Sequence, residues 1–415
     1  MATEKSPSKR FAALILGGGF YQAGCSTVTT IIGPLLNSRG ISVEQIGFLN
    51  SANWAVVTLT SIPAGRLSDR LGRLVPFVVS AVAAAAAWGA LYLKVDLTMS
   101  LVAFILAGLS LALFTPNSTA VISERFSPRV APVLFAVFYL ATLGGAAVAS
   151  VLSGWASENL GAATPLLISS LLFAVSGIAL TVSARSNNRQ GASDNKRSVR
   201  HILDSLNIGT IVSSVKNSPL LAFYGFALFF HSLGYQMITP YLSLYAEKAI
   251  GLDIASIGLA MAAWNVGMMV GIIPCGWISA KVGSEVMLVG HFILSAVSWS
   301  AITLSRDLTS AAVLLFFFGL AGSMDLPARR ALTAELSTRD KLAEATGFIE
   351  LVNGIGGLLG SLLGGFLFQG LGPAFPFYFG PLMTLLSVPP MLKLAGLVRR
   401  GQKNAHGTDA GRASH

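Results

Sequence analysis

The chain of 415 residues is 53% hydrophobic and only 11% charged, with a formal net charge of +10. A soluble protein carries about 25% charged residues, so this composition excludes an ordinary soluble enzyme or binding domain and indicates a membrane protein. The positive charge needs no nucleic-acid partner, because the basic residues fall in short segments between long apolar runs, as in the cytoplasmic loops of membrane proteins.

Long charge-free runs predict the membrane-spanning helices in chain order. For example, no Asp, Glu, Lys or Arg occurs from Phe11 to Ser38 or from Ile254 to Ala280. About 20 apolar residues are enough for a helix to cross the hydrocarbon core. We place twelve spans at residues 11–36, 45–65, 74–93, 98–122, 131–155, 162–184, 219–245, 255–280, 285–304, 309–334, 341–368 and 374–397. An even number of spans puts both termini on the same side.

The basic residues predict which side that is. The chain has 28 Lys and Arg residues, and only four of them lie in loops on the side opposite the termini, namely Arg39, Lys94, Lys248 and Arg306. Cytoplasmic loops carry the excess of Lys and Arg, so we expect both termini and the central loop to be cytoplasmic. The expected location is the inner or plasma membrane of the cell.

The two halves of the sequence repeat at a fixed offset of 211 residues. The segment Gly65–Arg73 returns in altered form as Gly276–Ser284, and the same offset relates Trp88 to Trp299. Six spans in each half keep the orientation of the repeat, which predicts parallel repeats about an axis along the membrane normal. We therefore divide the chain into a tail (1–10), a six-helix bundle (11–184), a basic linker (185–218), a second six-helix bundle (219–397) and a tail (398–415).

This organisation, with the motif Gly65-x-x-x-Asp69-Arg70-x-Gly72-Arg73 after the second span, resembles the major facilitator superfamily. The resemblance implies an all-α membrane protein of twelve transmembrane helices in two parallel six-helix bundles. It also implies that the two bundles rock around a central site and expose it alternately to each side of the membrane.

The resemblance further implies a gating network. In the family, the acid of the motif faces the positive N-terminal end of helix 11, and its arginines pair with an acid at the end of helix 4. These roles carry over to Asp69, to Arg70 and Arg73, and to Glu124. The full network that we predict comprises Gly65, Asp69, Arg70, Gly72, Arg73 and Glu124, together with Lys281 and Glu335 from the altered second copy. The alternative is that these charges only fix the topology.

Charged and titratable residues inside the spans are candidates for proton coupling, because such residues are costly in a membrane. They are Asp325, Glu350, Arg329 and His231. Asp325 is replaced by Phe114 in the first half, so the shared scaffold does not require an acid there. In one interpretation Asp325 or Glu350 titrates during transport. In the other, Asp325 and Arg329, four positions apart, form a standing ion pair.

Neutral polar residues inside the spans are candidates for lining the substrate cavity. The family's cavity is lined by helices 1, 4, 7 and 10, and further polar residues lie in spans 2 and 8. The candidates are Gln22, Asn53, Asn117, Tyr235, Gln236 and Asn265. Each could instead bridge two helices. Separately, glycines at every fourth position, Gly356, Gly360 and Gly364, predict close approach of helix 11 to a neighbour.

The sequence lacks a G-x-x-x-x-G-K-[ST] phosphate loop and any visible nucleophile–base constellation, so we expect neither an enzyme nor a cofactor or metal. The leading hypothesis is a monomeric secondary transporter that works in the lipid bilayer and exports an amphipathic small molecule or metabolite in exchange for protons. The first alternative is uptake of a sugar, organic acid or other nutrient by proton symport. A lipid flippase and a non-transporting receptor remain further alternatives.

Overall fold

A computed structural model describes residues 9–126, 130–184, 218–337 and 342–398. Within these ranges every regular element is a helix. The helices are α1 (Lys9–Ser38), α2 (Val43–Leu71), α3 (Leu74–Leu93), α4 (Leu97–Arg125), α5 (Ala131–Asn159), α6 (Thr164–Ala184), α7 (Pro219–Ile250), α8 (Ile254–Val282), α9 (Ser284–Leu304), α10 (Leu308–Glu335), α11 (Leu342–Gly370) and α12 (Pro376–Val398). Nearly all of the predicted linker and of both tails lies outside the described residues.

The predicted twelve-helix architecture is confirmed. Eleven of the helices in the described part of the chain are long and apolar enough to cross a membrane. The remaining helix, α2, has 29 residues but is less apolar, because Gln45, Asn50 and Asn53 interrupt its hydrophobic run.

Helix starts follow the repeat in structural detail. Asp96 caps α4 by accepting from the Met99 N–H at 2.7 Å, and its counterpart Asp307 caps α10 through the Ser310 N–H at 2.8 Å. The Ser310 backbone N–H and hydroxyl hold the pKa of Asp307 below its usual range. Side-chain acceptors at these positions satisfy backbone donors that a helix start leaves unpaired.

Turns repeat as well. The glycines with positive φ among the described residues form three pairs at the offset of 211, namely Gly40 and Gly251 (82° and 83°), Gly72 and Gly283 (78° and 95°), and Gly161 and Gly372 (121° and 125°). A residue with a Cβ is strained in this region of backbone space, so glycine is needed at each turn.

The two halves meet through matched contacts between α5 and α8 and between α2 and α11. A methyl group on Gly154 would lie only 2.5 Å from the Ile254 carbonyl oxygen. At the repeat-related contact, a methyl group on Gly365 would lie 2.9 Å from the Val43 carbonyl oxygen. The equivalence of these contacts supports the predicted two-fold relation of the halves. Both contacts lie at the helix ends remote from the chain termini.

The predicted glycine stripe of α11 packs against α7. Methyl groups on Gly356, Gly360 and Gly364 would fall no more than 2.6 Å from carbonyl oxygens of successive turns of α7, those of Phe229, Leu233 and Met237. Glycine at every fourth position therefore lets the two backbones approach closely, as the sequence predicts.

The span predicted at 309–334 is not one continuous helix. It divides into Leu308–Gly322 and Asp325–Glu335, with a turn at residues 323–324. Pro327 has no N–H to offer the Ser323 carbonyl four residues earlier, which weakens the helix at this point. The equivalent Pro116 leaves α4 continuous, and we attribute the difference to Gly322, which replaces Leu111 and adds backbone freedom.

Candidate transport site

Arg73 and Glu124 of the predicted gating network form an ion pair in the first half. An Arg73 guanidinium nitrogen bonds the Glu124 carboxylate, and its Nε lies 3.4 Å from the second carboxylate oxygen. Arg73 also donates to the Ser68 hydroxyl at 2.6 Å. These bonds tie the start of α3 to the ends of α2 and α4. The surroundings of Gly65 and the side chains of Asp69 and Arg70 lie outside the described part, so their predicted roles stay predictions.

Asn117 belongs to this network. Its side chain is fully buried, its amide donates to the Leu113 carbonyl at 2.5 Å, and its Oδ1 accepts from Ser68 and, at 3.5 Å, from Arg73. Ser68 and Arg73 join Asn117 to α2 and to the start of α3, and its role in lining the cavity stays a prediction.

The second copy of the network has a different geometry. Ser284, which replaces Arg73, donates to Glu335 at 3.4 Å. Lys281 lies over the Trp277 ring, with its Nζ 3.4 Å from the ring centroid. The predicted network members Lys281 and Glu335 therefore contact other residues and do not pair with each other.

The second half contains a partly buried ion pair on α10. Arg329 bonds the Asp325 carboxylate one helical turn earlier, with side-chain exposures of 21% and 14%. The turn at 323–324 makes Asp325 the first residue of a helical segment, where the positive end of the helix dipole favours a carboxylate. The other oxygen of Asp325 is buried and has no hydrogen-bond partner among the described residues.

Two buried imidazoles lie in the same half. His231 of α7 and His291 of α9 are 6% and 2% exposed, and their Nε2 atoms are 3.2 Å apart. Both histidines interact electrostatically with Asp325 and Arg329. We call these four residues the coupling cluster.

His291 was not among the residues predicted from the sequence. Its Nδ1 lies 2.8 Å from the Ala321 carbonyl oxygen, and at the equivalent place in the first half the Ser80 hydroxyl donates to the Ser110 carbonyl at 2.9 Å. Aligning the two halves would have revealed this exchange of a small hydroxyl for a titratable ring. The sequence therefore marks His291 by its difference from the equivalent Ser80, because a lone histidine in a span would not stand out.

Aromatic rings enclose the imidazoles. The His231 ring stacks on Trp299 at a centroid distance of 5.6 Å and on Tyr235 at 6.2 Å. Tyr235, predicted as a cavity residue, therefore forms part of the wall around the coupling cluster. Its neighbour Gln236 is buried and accepts from the Thr239 hydroxyl at 3.2 Å.

The remaining predicted residues are spread over several helices. Asn53 donates to the Phe104 carbonyl at 2.9 Å, which joins α2 to α4. Asn265 donates to the Met261 carbonyl at 3.0 Å and approaches the Ser150 hydroxyl of the other half at 3.5 Å. Gln22 is half-buried on α1. Glu350 is exposed on α11 and interacts electrostatically with Arg329 of the coupling cluster.

A groove of about 460 Å³ lies between α1, α5 and α6. Its lining is almost entirely apolar and includes the exposed side chains of Leu16, Val148 and Leu152. Within the described ranges, no three His, Cys, Asp or Glu residues are grouped to hold a metal ion.

Two six-helix halves related by a repeat, with a charged cluster buried between apolar helices, define a membrane transporter. The sequence profile of the Major Facilitator Superfamily matches residues 14–230 and 224–414. The chain belongs to this superfamily, which confirms the resemblance inferred from its motif.

Curated relatives match part of the chain. The quinolone resistance protein NorA of Staphylococcus aureus is 27% identical over 172 residues, which cover 41% of this chain and 43% of NorA. The proton-coupled antiporter flippase LtaA of Staphylococcus saprophyticus is 28% identical over 163 residues, 39% of this chain and 40% of LtaA. The matched region spans less than half the length of these relatives.

Solved structures match nearly the whole chain. The nucleoside transporter NupG has a TM-score of 0.76 at 11% identity, covering 93% of this chain and 98% of NupG. The human organic anion transporter MFSD10 has a TM-score of 0.69 at 15% identity, covering 94% and 100%. At such low identity these similarities show the fold alone.

Proposed function

We propose that this transporter exports an amphipathic small molecule or metabolite in exchange for protons. The observation that carries the proposal is the coupling cluster, which places an ion pair and two titratable rings inside the membrane-spanning part of the second half. The names of the relatives NorA and LtaA, a quinolone resistance protein and a proton-coupled antiporter flippase, agree with export and with antiport.

The scaffold itself does not need the polar groups of the cluster. At the positions equivalent to Asp325 and His231, the first half has Phe114 and Phe20. Charged groups inside a membrane are expensive and tend to serve transport or proton transfer. An imidazole can also accept and release a proton, which the phenyl ring of Phe20 cannot.

The proposed mechanism is alternating access. The contacts of Gly154 with α8 and of Gly365 with α2 hold the two halves together at the helix ends remote from the chain termini. These contacts must separate when the central site opens to that side of the membrane. At the other end, Asp69, Arg70, Arg73 and Glu124 would hold the halves together in the opposite state. The Arg73–Glu124 pair supports this role, because it fixes the start of α3 against the end of α4.

The loop charges support insertion into the inner or plasma membrane with both termini in the cytoplasm. We propose that the protein functions there as a monomer, since each chain carries both halves of the alternating-access unit. Uptake by proton symport uses the same geometry with the opposite direction of substrate flux. The experiment on function therefore has to measure that direction.

The test uses purified protein in liposomes that contain a pH-sensitive dye. Amphipathic cations, sugars, organic acids and amino acids are added in turn, and protein-free liposomes serve as the control. We expect an amphipathic compound to move protons in the direction opposite to its own flux. Proton movement in the same direction would replace export with symport, and a substrate that moves without protons would overturn the proposed coupling.

A second candidate is a lipid flippase, which the apolar groove favours. The groove opens beside the exposed residues Val148 and Leu152 of α5 and is large enough to hold an acyl chain. In liposomes with a fluorescent lipid analogue, Val148→Trp should then slow transbilayer movement. Val133→Trp is the control, because Val133 is exposed on the same helix outside the groove. A rate in the unmodified protein no higher than in protein-free liposomes would exclude this function, and equal rates in the unmodified protein and both variants would exclude the groove as the lipid path.

A further inference from the structure

The hydrogen bonds of the two histidines assign the position of every ring proton. The Ala321 carbonyl only accepts, so the His291 Nδ1 at 2.8 Å carries a hydrogen. A neutral imidazole has one donor and one acceptor nitrogen, so the Nε2 of His291 accepts. His231 must therefore donate from its own Nε2, which lies 3.2 Å away.

This assignment leaves one free basic atom. The Nδ1 of neutral His231 is then an acceptor, and it is buried without a hydrogen-bond partner in the described part of the chain. Buried polar atoms are nearly always hydrogen-bonded, so an unpaired one needs an explanation. A proton that enters the pair has this lone pair as its place to bind, while the bond between the two Nε2 atoms stays in place.

The surroundings can hold the charge that such a proton brings. The titratable groups around the imidazoles are Tyr235 on α7 and the pair Asp325 and Arg329 on α10, while Glu350 on α11 acts on Arg329. Asp325 keeps one carboxylate oxygen without a partner among the described residues. Because Arg329 already neutralises Asp325 in part, the ion pair does not fix the charge of the histidines by itself.

The aromatic wall also favours a cation at His231. Trp299 stacks on the ring at 5.6 Å, within the distance of about 6 Å at which indole attracts a positive charge. The repeat-related Trp88 of the first half has the benzyl ring of Phe104 as a neighbour, at 5.9 Å, rather than an imidazole. The arrangement is therefore specific to the second half.

We propose that the His231–His291 pair carries the coupled proton, with the Asp325–Arg329 ion pair remaining charged throughout. The proton adds to the Nδ1 lone pair of His231, the charge of the pair rises from zero to +1, and release to the other side reverses the step without breaking another covalent bond. This inference rests on the proposed function, since it names the group that performs proton coupling. His291 acts as a positioning residue that orients His231.

The first test needs no substrate. A protonated imidazole quenches a stacked indole more strongly than a neutral one, so Trp299 reports the charge of His231. The emission of purified protein is followed from about pH 5 to pH 8, and the emission of Trp299→Phe is subtracted. We expect emission from Trp299 to fall as the pH is lowered and this fall to be lost in His231→Gln. A Trp299 signal that does not change with pH would overturn the proposal. If Trp299→Phe does not fold, the pH dependence of the unmodified protein is compared with that of His231→Gln, and identical profiles would overturn the proposal.

The second test separates proton coupling from substrate exchange. His291→Ser restores the residue that Ser80 provides in the first half and removes the acceptor of His231. We expect this variant to lose substrate-driven proton movement but to keep exchange of labelled substrate across the liposome membrane. If His231→Gln and His291→Ser both retain full proton movement, the inference is wrong although export is intact. If the unmodified protein moves no protons with any substrate, the proposed proton-coupled export is wrong, and the inference that depends on it is wrong as well.

Discussion

Replacing Gly154 with alanine should shift the balance between the two conformations of the transporter. The added methyl group would lie 2.5 Å from the Ile254 carbonyl oxygen and 3.1 Å from the Gly258 Cα. Both partners are backbone atoms of α8 and cannot rotate away. The α5–α8 contact must therefore widen, and this contact belongs to the end that is closed in the structure.

The magnitude follows from overpacking. An extra methyl group in a tight contact costs about 1–3 kcal/mol. The cost applies only to the conformation in which α5 and α8 touch, so the ratio of the two conformations should change by about 5-fold to 150-fold. Alanine also stabilises a helix over glycine by about 1 kcal/mol in either conformation, and this contribution cancels.

The assay measures the distance between spin labels on the two halves. Leu160 follows α5 and Leu371 follows α11, and both are exposed at the end in question. Each is replaced with cysteine and labelled in a background without Cys25 and Cys275. We expect Gly154→Ala to move the distance distribution to longer values.

Gly144→Ala is the matched control on the same helix, because its methyl group would meet only the flexible Met269 side chain at 3.9 Å. It should leave the distances unchanged, whereas the repeat-related Gly365→Ala should reproduce the effect of Gly154→Ala. Identical distance distributions in Gly154→Ala and Gly144→Ala would refute the reasoning, because the backbone contact would then place no limit on the closed state.

Three further predictions concern the charged residues. Asp325→Asn should lower the free energy of unfolding, by up to about 3–5 kcal/mol, because it removes the ion-pair partner of the partly buried Arg329. Asp325→Asn with Arg329→Gln should recover most of this loss in thermal melts. Equal melting of the single variant and the unmodified protein would contradict a standing ion pair. Asp69→Asn should abolish transport with normal membrane insertion and thermal stability, and retained flux would remove Asp69 from the gating network. Ser284→Arg should place a guanidinium against Glu335 and slow turnover by adding a second gating ion pair; turnover equal to that of Ser284→Gln would contradict this.

The helices and their pairing were largely predictable, because they depend on signals that repeat along the chain. Charge-free runs define the spans, and the offset of 211 residues predicts the parallel halves. The same offset also relates structural details that no sequence pattern had indicated, such as the caps Asp96 and Asp307. Apolar burial in a membrane imposes charge-free runs on eight of the twelve spans, so these spans are visible without a structure.

The candidate site was predictable only where its members are close in sequence. Asp325 and Arg329 lie one turn apart, so their pairing follows from helix geometry. His231 and His291 are 60 residues apart on different helices, and nothing local indicates that their rings meet. Asn117 lies on a helix that lines the cavity in the family, and its contacts with Ser68 and Arg73 could not be predicted because only the folded chain brings these residues together.

The placement of Asp325 and Arg329 on one turn of α10 has an electrical consequence. Their opposite charges travel as a unit, so any movement of the second half carries almost no net charge from this pair through the membrane potential. Each uncompensated elementary charge that crosses gains or loses about 2.3 kcal/mol per 100 mV. Voltage would therefore act on the proton held by the histidines and on the charge of the substrate, and the driving force for exchanging one monovalent cation for one proton would not depend on the membrane voltage, because the complete cycle moves no net charge.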